Sequence, residues 1–153
     1  MILASVDSTN AEAFRLAPSL TGPLWILAEE QSAGRGRRAR AWASPRGNFH
    51  ATLVMRVTEP PAEVALRSFA AALALRDAFV ALTALPQAFA LKWPNDVLLN
   101  GGKVAGILLE ASGDTLAIGI GVNLIAVPPA SAVEPGAVTP VSLLQETGLR
   151  IAP

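Results

Sequence analysis

Thr115-Leu116-Ala117-Ile118-Gly119-Ile120-Gly121-Val122-Asn123-Leu124-Ile125 reads as a β-strand with two unlike faces. Leu116, Ile118, Ile120, Val122 and Leu124 alternate onto one face and are all large. Thr115, Ala117, Gly119, Gly121 and Asn123 fall on the other and are all small or polar. The large face suits packing against helices. Glycine weakens a strand, so two on one face point to a close approach to the backbone. Either a ligand lies on a floor of small residues, or the strand meets a bulge or a tightly packed helix. This strand alone leaves both readings open.

Towards the N-terminus, turn chemistry divides the chain into hairpins. Ser112-Gly113-Asp114 is a turn, residues 103–111 form a strand, and Asn100-Gly101-Gly102 is a hairpin signal because these residues tolerate positive φ. Residues 97–99 make a short strand, Pro94-Asn95-Asp96 a turn and residues 89–93 another strand, which together predict an antiparallel meander. Pro60-Pro61 opens a long helix to about Thr83, ended by Pro86. Its apolar stripe is read as Leu66, Phe69, Ala70, Leu73 and Val80, with Arg67 and Arg76 outside it. Residues 49–57 alternate, with Phe49, Ala51, Leu53, Met55 and Val57 on one face, and residues 24–29 are a short apolar run read as a buried strand. Thr9-Asn10-Ala11-Glu12 reads as a capping box opening a helix through Ala17, stopped by Pro18. At the other end, residues 127–140 are rich in Pro, Ala and Ser and predict a surface loop, and residues 142–147 begin a last helix with Gly148 near its C-cap. The fold class is α+β, with helices packed on a largely antiparallel sheet in a single domain over residues 1–153.

Composition narrows the function classes. The 12 Lys and Arg balance the 12 Asp and Glu, so net charge gives no reason to expect a polyanion partner. No apolar run approaches the roughly 18 residues of a membrane span, and the Ala-rich stretch 69–91 is broken by Arg76, Asp77, Thr83, Pro86 and Gln87. Asp7, Asn10 and Glu12 arrive too early for a signal peptide. The absence of cysteine excludes disulfides, thiolate nucleophiles and zinc–thiolate sites, and fits a cytoplasmic location.

Residues 31–48 have no periodicity and hold three glycines and five arginines, which predicts a long functional loop. Within it, Gly34-Arg35-Gly36-Arg37-Arg38-Ala39-Arg40 places four guanidinium groups close together. Two like charges 4 Å apart repel by roughly 4 kcal/mol at an effective dielectric of 20, so such a loop should order around an anion. Phosphate and carboxylate suit the planar bidentate fork of arginine. The Gly-x-Gly-x-x-Ala pattern formally matches a dinucleotide-binding turn, but Pro45 and Gly47 leave no room for its helix. An RNA-binding segment would want basic support, whereas Glu29 and Glu30 lie just before it. A merely solvated loop stays open.

Lys92, between Leu91 and Trp93, is costly in a strand unless paired, for instance with Asp96. Lys103 follows the hairpin turn and shares its strand with Gly106, which permits close approach. Asn95, Asp96 and Asn123 offer the hard oxygen ligands that Mg²⁺ prefers. The single His50 alternates with Thr52 and Val54 and reads as structural. Joining a carboxylate to the α-phosphate of ATP brings two anions together. Arg35, Arg37, Lys92, Lys103 and a Mg²⁺ would offset that repulsion without a covalent nucleophile.

Ser8-Thr9-Asn10, Gln31-Ser32-Ala33-Gly34-Arg35-Gly36-Arg37-Arg38, Trp42 and Ser44-Pro45 resemble the first half of a biotin–protein ligase catalytic domain. Lys92-Trp93-Pro94-Asn95-Asp96, Gly102-Lys103-Val104-Ala105-Gly106-Ile107-Leu108 and Gly119-Ile120-Gly121-Val122-Asn123 resemble the second, so the likeness covers roughly residues 5–125. The resemblance implies a class II synthetase-like fold. It implies biotin and MgATP giving biotinyl-5′-AMP, then transfer to a lysine of a biotin carboxyl carrier protein of acetyl-CoA carboxylase or a related carboxylase. By that analogy Ser8, Thr9 and Gln31 bond the biotin ureido ring, with Asn10 beside them. Arg35, Gly36 and Arg37 wrap the adenylate, Lys103 holds the carboxylate, Trp42 closes over the nucleotide, and Gly106 and Gly121 are counted among the substrate-binding residues. Lys103, Arg37 and Lys92 are the catalytic candidates. Asn95, Asp96 and Asn123 line the nucleotide side with Lys92, and Asp96 and Asn123 are the metal ligands.

Three departures stand out. Ala39 replaces a usual third glycine, and His50 replaces a common aromatic. The family normally continues into further helices and a small C-terminal β-barrel, so a chain ending at Pro153 reads as a fragment or a shortened member. Ser5 is too early for the helix-turn-helix of repressor-type members, which predicts no operator binding, and a homodimer is left open. The rivals are a lipoate or octanoate ligase, which would lack the Lys-Trp-Pro-Asn-Asp segment and the arginine loop, and a non-catalytic biotin-binding module.

Overall fold

The computed structural model describes residues 1–134 and 136–153; Pro135, inside the loop read over residues 127–140, lies outside the described residues. Seven strands form one sheet: β1 (Ile2–Leu3), β2 (Leu24–Ala28), β3 (Phe49–Arg56), β4 (Phe89–Lys92), β5 (Asp96–Leu99), β6 (Gly102–Ser112) and β7 (Thr115–Val122). Their order is β1-β2-β3-β7-β6-β5-β4, and every pairing is antiparallel except β1 with β2. The antiparallel meander forms, with its last strand ending at Val122 rather than Ile125, and the α+β class holds. The pair Ile2–Leu3 is too short to announce itself in sequence; it is fixed by pairing with Leu27 and Ala28.

Helix α1 (Thr9–Leu16) lies on one face of the sheet, α2 (Pro61–Thr83) on the other, and α3 (Leu143–Thr147) begins with the buried Leu143. The unlike faces of β7 sort accordingly. Leu116 and Ile118 pack with Val64 and Ala72 of α2, whereas Ala117 joins Ala13 of α1, Ile26 and Val54. A third cluster joins Phe79 of α2 to Phe89, Leu99, Val104 and Leu143, with the rings of Phe79 and Phe89 stacked 5.1 Å apart.

Two local readings need correction. The N-cap of α1 is Ser8, whose Oγ accepts from Ala11 N at 3.4 Å, not Thr9; Glu12 pairs with Arg15 instead of closing a capping box. The buried stripe of α2 is Val64, Ala72 and Phe79, while Leu66, Phe69 and Leu73 are 58%, 42% and 50% exposed. This helix is apolar all round, so composition does not set its phase. Arg67, reaching Met55 Sδ and Glu59, flanks the buried side. Its C-cap is Ala84 in the left-handed region, two residues before Pro86.

Candidate functional site

All fifteen candidate residues line one cleft of about 730 Å³, between the arginine loop, the N-terminal end of α1 and the small-residue face of β6 and β7. That volume is in the range of small-molecule sites.

One end of the cleft is a polar bracket. The backbone N–H and hydroxyl of Thr9 both reach Gln31 Oε1, at 2.8 and 3.1 Å, and Gln31 Nε2 donates to Ser44 Oγ at 2.8 Å. Gly34 admits no side chain here, since a Cβ would lie 2.6 Å from both Ser44 Oγ and the Trp42 carbonyl. Ser8 and Thr9 are 3% and 4% exposed, so their hydroxyls sit in a desolvated wall. Just outside, Arg15 bonds Asp7 and holds its carboxyl down to about 2, helped by the Ser8 N–H.

The arginine loop is a small hairpin. Gly36 N donates to the Arg40 carbonyl at 2.8 Å and Trp42 N to the Gly34 carbonyl at 2.9 Å. Its tip places Arg38 at φ 58° and Ala39 at φ 57°, a region that costs a residue with a Cβ roughly 1–2 kcal/mol. Two of its four cations are balanced: Arg35 by Glu110, and Arg40 by Glu134 at 2.8 Å. Arg37 and Arg38 have no carboxylate partner among the described residues; Arg37 Nη1 lies 3.5 Å from Asn95 Oδ1. The far end of the loop is anchored by Asn48, whose Oδ1 accepts from the N–H groups of Ile125 and Ala126. His50, 1% exposed, meets the Pro45 carbonyl at 3.2 Å through Nε2, and burial lowers its pKa.

The close approach expected at the two glycines is made by the protein's own side chains. At Gly119 a Cβ would collide with Asn10 of α1, so this glycine admits a packed helix. At Gly121 a Cβ would collide with the indole of Trp42, and at Gly106 it would sit 3.2 Å from the same ring. Those two make a floor for the Trp42 indole. Trp42 Nε1 is buried with no hydrogen-bond partner among the described residues.

Lys103 reaches this floor through a bulge. Leu98 pairs with Lys103 but Val97 with Ala105, leaving Val104 as the extra residue. The added residue reverses the alternation and turns Lys103 to the face of Gly106, the use such irregularities often have beside a site. Its Nζ is 2.7 Å from Asp96 Oδ1 and 5.5 Å from the Trp42 ring centre. The partner of Asp96 is therefore Lys103. Lys92 stands opposite Asp96 in register but is exposed on the edge strand β4, so it escapes the cost of burial that pairing was to offset. Asn95 Nδ2 donates to the Ile107 carbonyl at 2.6 Å. Asn123, 2% exposed, spends its Nδ2 on the Val141 carbonyl at 3.2 Å, which leaves Oδ1 as the atom it can offer.

Asn10 lines the cleft but is engaged within the protein. Its Nδ2 donates to Glu110 Oε2 at 2.8 Å and its Oδ1 accepts from Thr52 at 2.6 Å. Sequence reasoning missed Glu110, Thr52 and the bonding role of Ser44. The available signal for Glu110 was alternation, since it shares the face of Gly106 and Leu108 on β6.

Residues 2–124 match the model of the biotin/lipoate A/B protein ligase family. The chain belongs to that family. Among curated relatives in the biotin/lipoate ligase family, it is 57% identical over 157 aligned positions to a biotin–[acetyl-CoA-carboxylase] ligase of Paracoccus denitrificans, covering 99% of this chain and 65% of that protein. A biotin protein ligase of Leishmania major solved in complex with biotinyl-5-AMP superposes with a TM-score of 0.74 at 32% identity, over 85% of this chain and 59% of that one. The Aquifex aeolicus biotin protein ligase in complex with biotin and ATP gives a TM-score of 0.81 at 30% identity, over 99% and 62%. The chain thus spans less than two thirds of the length of these family members.

Proposed function

We propose that this chain carries the adenylation site of a biotin–protein ligase: it activates biotin with ATP as biotinyl-5′-AMP and passes the acyl group to a lysine of a biotin carboxyl carrier protein. The observation that carries the reading is the single cleft in which the Thr9–Gln31–Ser44 bracket, the arginine hairpin and Lys103 converge. The bracket alternates donors and acceptors, as a ureido ring requires. Lys103, reoriented by the bulge, suits the acid's carboxylate, and Arg37 and Arg38, without a carboxylate partner among the described residues, suit the phosphates.

In the first step a carboxylate oxygen of biotin attacks the α-phosphorus, the bond to the β-phosphate bridging oxygen breaks, and pyrophosphate leaves. In the second the carrier's lysine amine attacks the acyl carbon, and AMP leaves with the electron pair of the C–O bond. Both steps concentrate negative charge, which positioned cations stabilise more in the transition state than in the ground state. Trp42, a flat apolar surface beside Gly106 and Gly121, suits stacking on adenine and keeping water from the acyl phosphate. Lys92, Asn95 and Asn123 border the nucleotide side.

No group of three or more His, Cys, Asp or Glu able to hold a metal exists among the described residues. One carboxylate, Asp96, with the Asn123 amide oxygen fits a Mg²⁺ that arrives with phosphates rather than a resident ion. When bound, it would supply further charge neutralisation at the phosphates. Among the described residues no helix is long and apolar enough to cross a membrane, and we place the reaction in the cytoplasm.

The Lys-Trp-Pro-Asn-Asp segment and the arginine hairpin favour biotin over lipoate or octanoate. The test is incubation with ATP, Mg²⁺ and a biotin carboxyl carrier domain, with each acid in turn. A mass gain of one biotinyl group on the carrier lysine is expected. Modification by lipoate alone would transfer the assignment to the lipoate branch.

A further inference from the structure

We infer that Glu110 is a positioning residue that holds Arg35 as a fixed fork towards the anion in the cleft; this deepens the adenylation reading above and rests on it. Glu110 Oε1 accepts from Arg35 Nε at 3.2 Å and Oε2 from Arg35 Nη2 at 3.2 Å. A guanidinium has five N–H groups. Two on its Nε edge are thus engaged, which leaves the two on Nη1 and one on Nη2 to face a ligand as a planar donor set.

The carboxylate is itself held from behind. Asn10 Nδ2 donates to Glu110 Oε2 at 2.8 Å, and Asn10, 4% exposed, is fixed by the Thr52 hydroxyl at 2.6 Å and by contact with Gly119. A chain therefore runs from β3 through α1 to β6 and out to the loop. The same Thr52 hydroxyl lies 2.8 Å from that of Thr9, so the grip on Arg35 and the bracket facing the other end of the substrate share one buried polar network. Glu110 and Arg35 are partly exposed, at 30% and 36%, so a solvated arginine released from this carboxylate would sample many rotamers. Ordering it costs side-chain entropy, a cost that the clamp meets before the ligand arrives.

The experiment is a double-mutant cycle on the full chain with Glu110→Gln and Arg35→Ala, read by affinity for a non-hydrolysable sulfamoyl analogue of biotinyl-5′-AMP and by KM for ATP against kcat in pyrophosphate exchange. Glu110→Gln is expected to weaken the analogue about tenfold and to raise KM more than it lowers kcat, as loss of a positioned charge-assisted contact would. In the Arg35→Ala background the same change should have little further effect. Losses that multiply, or a Glu110→Gln protein that binds like the parent, would overturn the proposal. Should Glu110→Gln not fold, Arg35→Lys keeps the charge but has no fork, and must show the same loss. On the unliganded chain, ¹⁵N NMR of the Arg35 Nε–H reads the clamp itself: a slowly exchanging signal is expected in the parent and lost in Glu110→Gln. A rapidly exchanging parent signal contradicts the clamp, whereas a parent that shows the clamp but binds no analogue contradicts the adenylation reading.

Discussion

Lys103 Nζ and Asp96 Oδ1 stand 2.7 Å apart on adjacent strands, with Asp96 only 15% exposed at its side chain. Each neutralises the other in the unliganded protein, and each is wanted elsewhere during the proposed reaction, one by a carboxylate and the other by a phosphate-bound cation. Lys103→Met is expected to reduce pyrophosphate exchange by at least about a hundredfold and to lower the melting temperature, because Asp96 is left without its partner. Adding Asp96→Asn should restore the melting temperature without restoring exchange. Recovery of exchange in the double variant would show that the lysine acts only through the fold.

Gly119 faces buried Asn10, and Gly119→Ala forces a Cβ into that amide. Overpacking of this kind costs roughly 1–3 kcal/mol. Urea unfolding should show a lower midpoint with an unchanged slope, and an unaltered midpoint would mean that α1 does not press on β7 here.

His50 makes a pH prediction. Burial depresses its folded pKa from the ordinary 6.5, against the weaker pull of the Pro45 carbonyl. Above 6.5 the ring is neutral whether folded or unfolded. Below it the unfolded chain takes up a proton that the folded chain refuses, so stability falls with pH down to the depressed value. The urea midpoint of the parent should drop between about pH 7 and about pH 5 more steeply than that of His50→Phe. Parallel profiles would contradict this.

Ala39 holds φ 57° at the tip of the arginine hairpin. Glycine takes that conformation without the penalty of about 1 kcal/mol that a Cβ brings. Ala39→Gly should therefore favour the hairpin, seen as slower amide hydrogen exchange at Gly36 and Trp42, whose N–H groups bridge it. Faster exchange would show that backbone freedom outweighs strain at this tip.

The meander was legible because its turns are written in Asn and Gly and its strands alternate with period two. The cleft was legible because its glycines and cations cluster along the chain. The phase of α2 was not, since Leu66, Phe69 and Leu73 offered as apolar a stripe as Val64, Ala72 and Phe79. Nor were the ion pairs that the site's carboxylates make, although Asp96 itself stands in a recognised motif. Glu110 meets Arg35 across 75 residues of chain and Asp96 meets Lys103 only because of the bulge at Val104, so both depend on tertiary geometry. The same bulge defeats simple alternation, which would have placed Lys103 on the face away from Gly106.

The most direct test of the central claim is ATP–pyrophosphate exchange by the purified 153-residue chain with Mg²⁺, with and without biotin. Exchange that depends on biotin, and that lipoate and octanoate do not support, is the predicted result. Tight biotin binding with no exchange would contradict the claim that this chain carries a complete adenylation site.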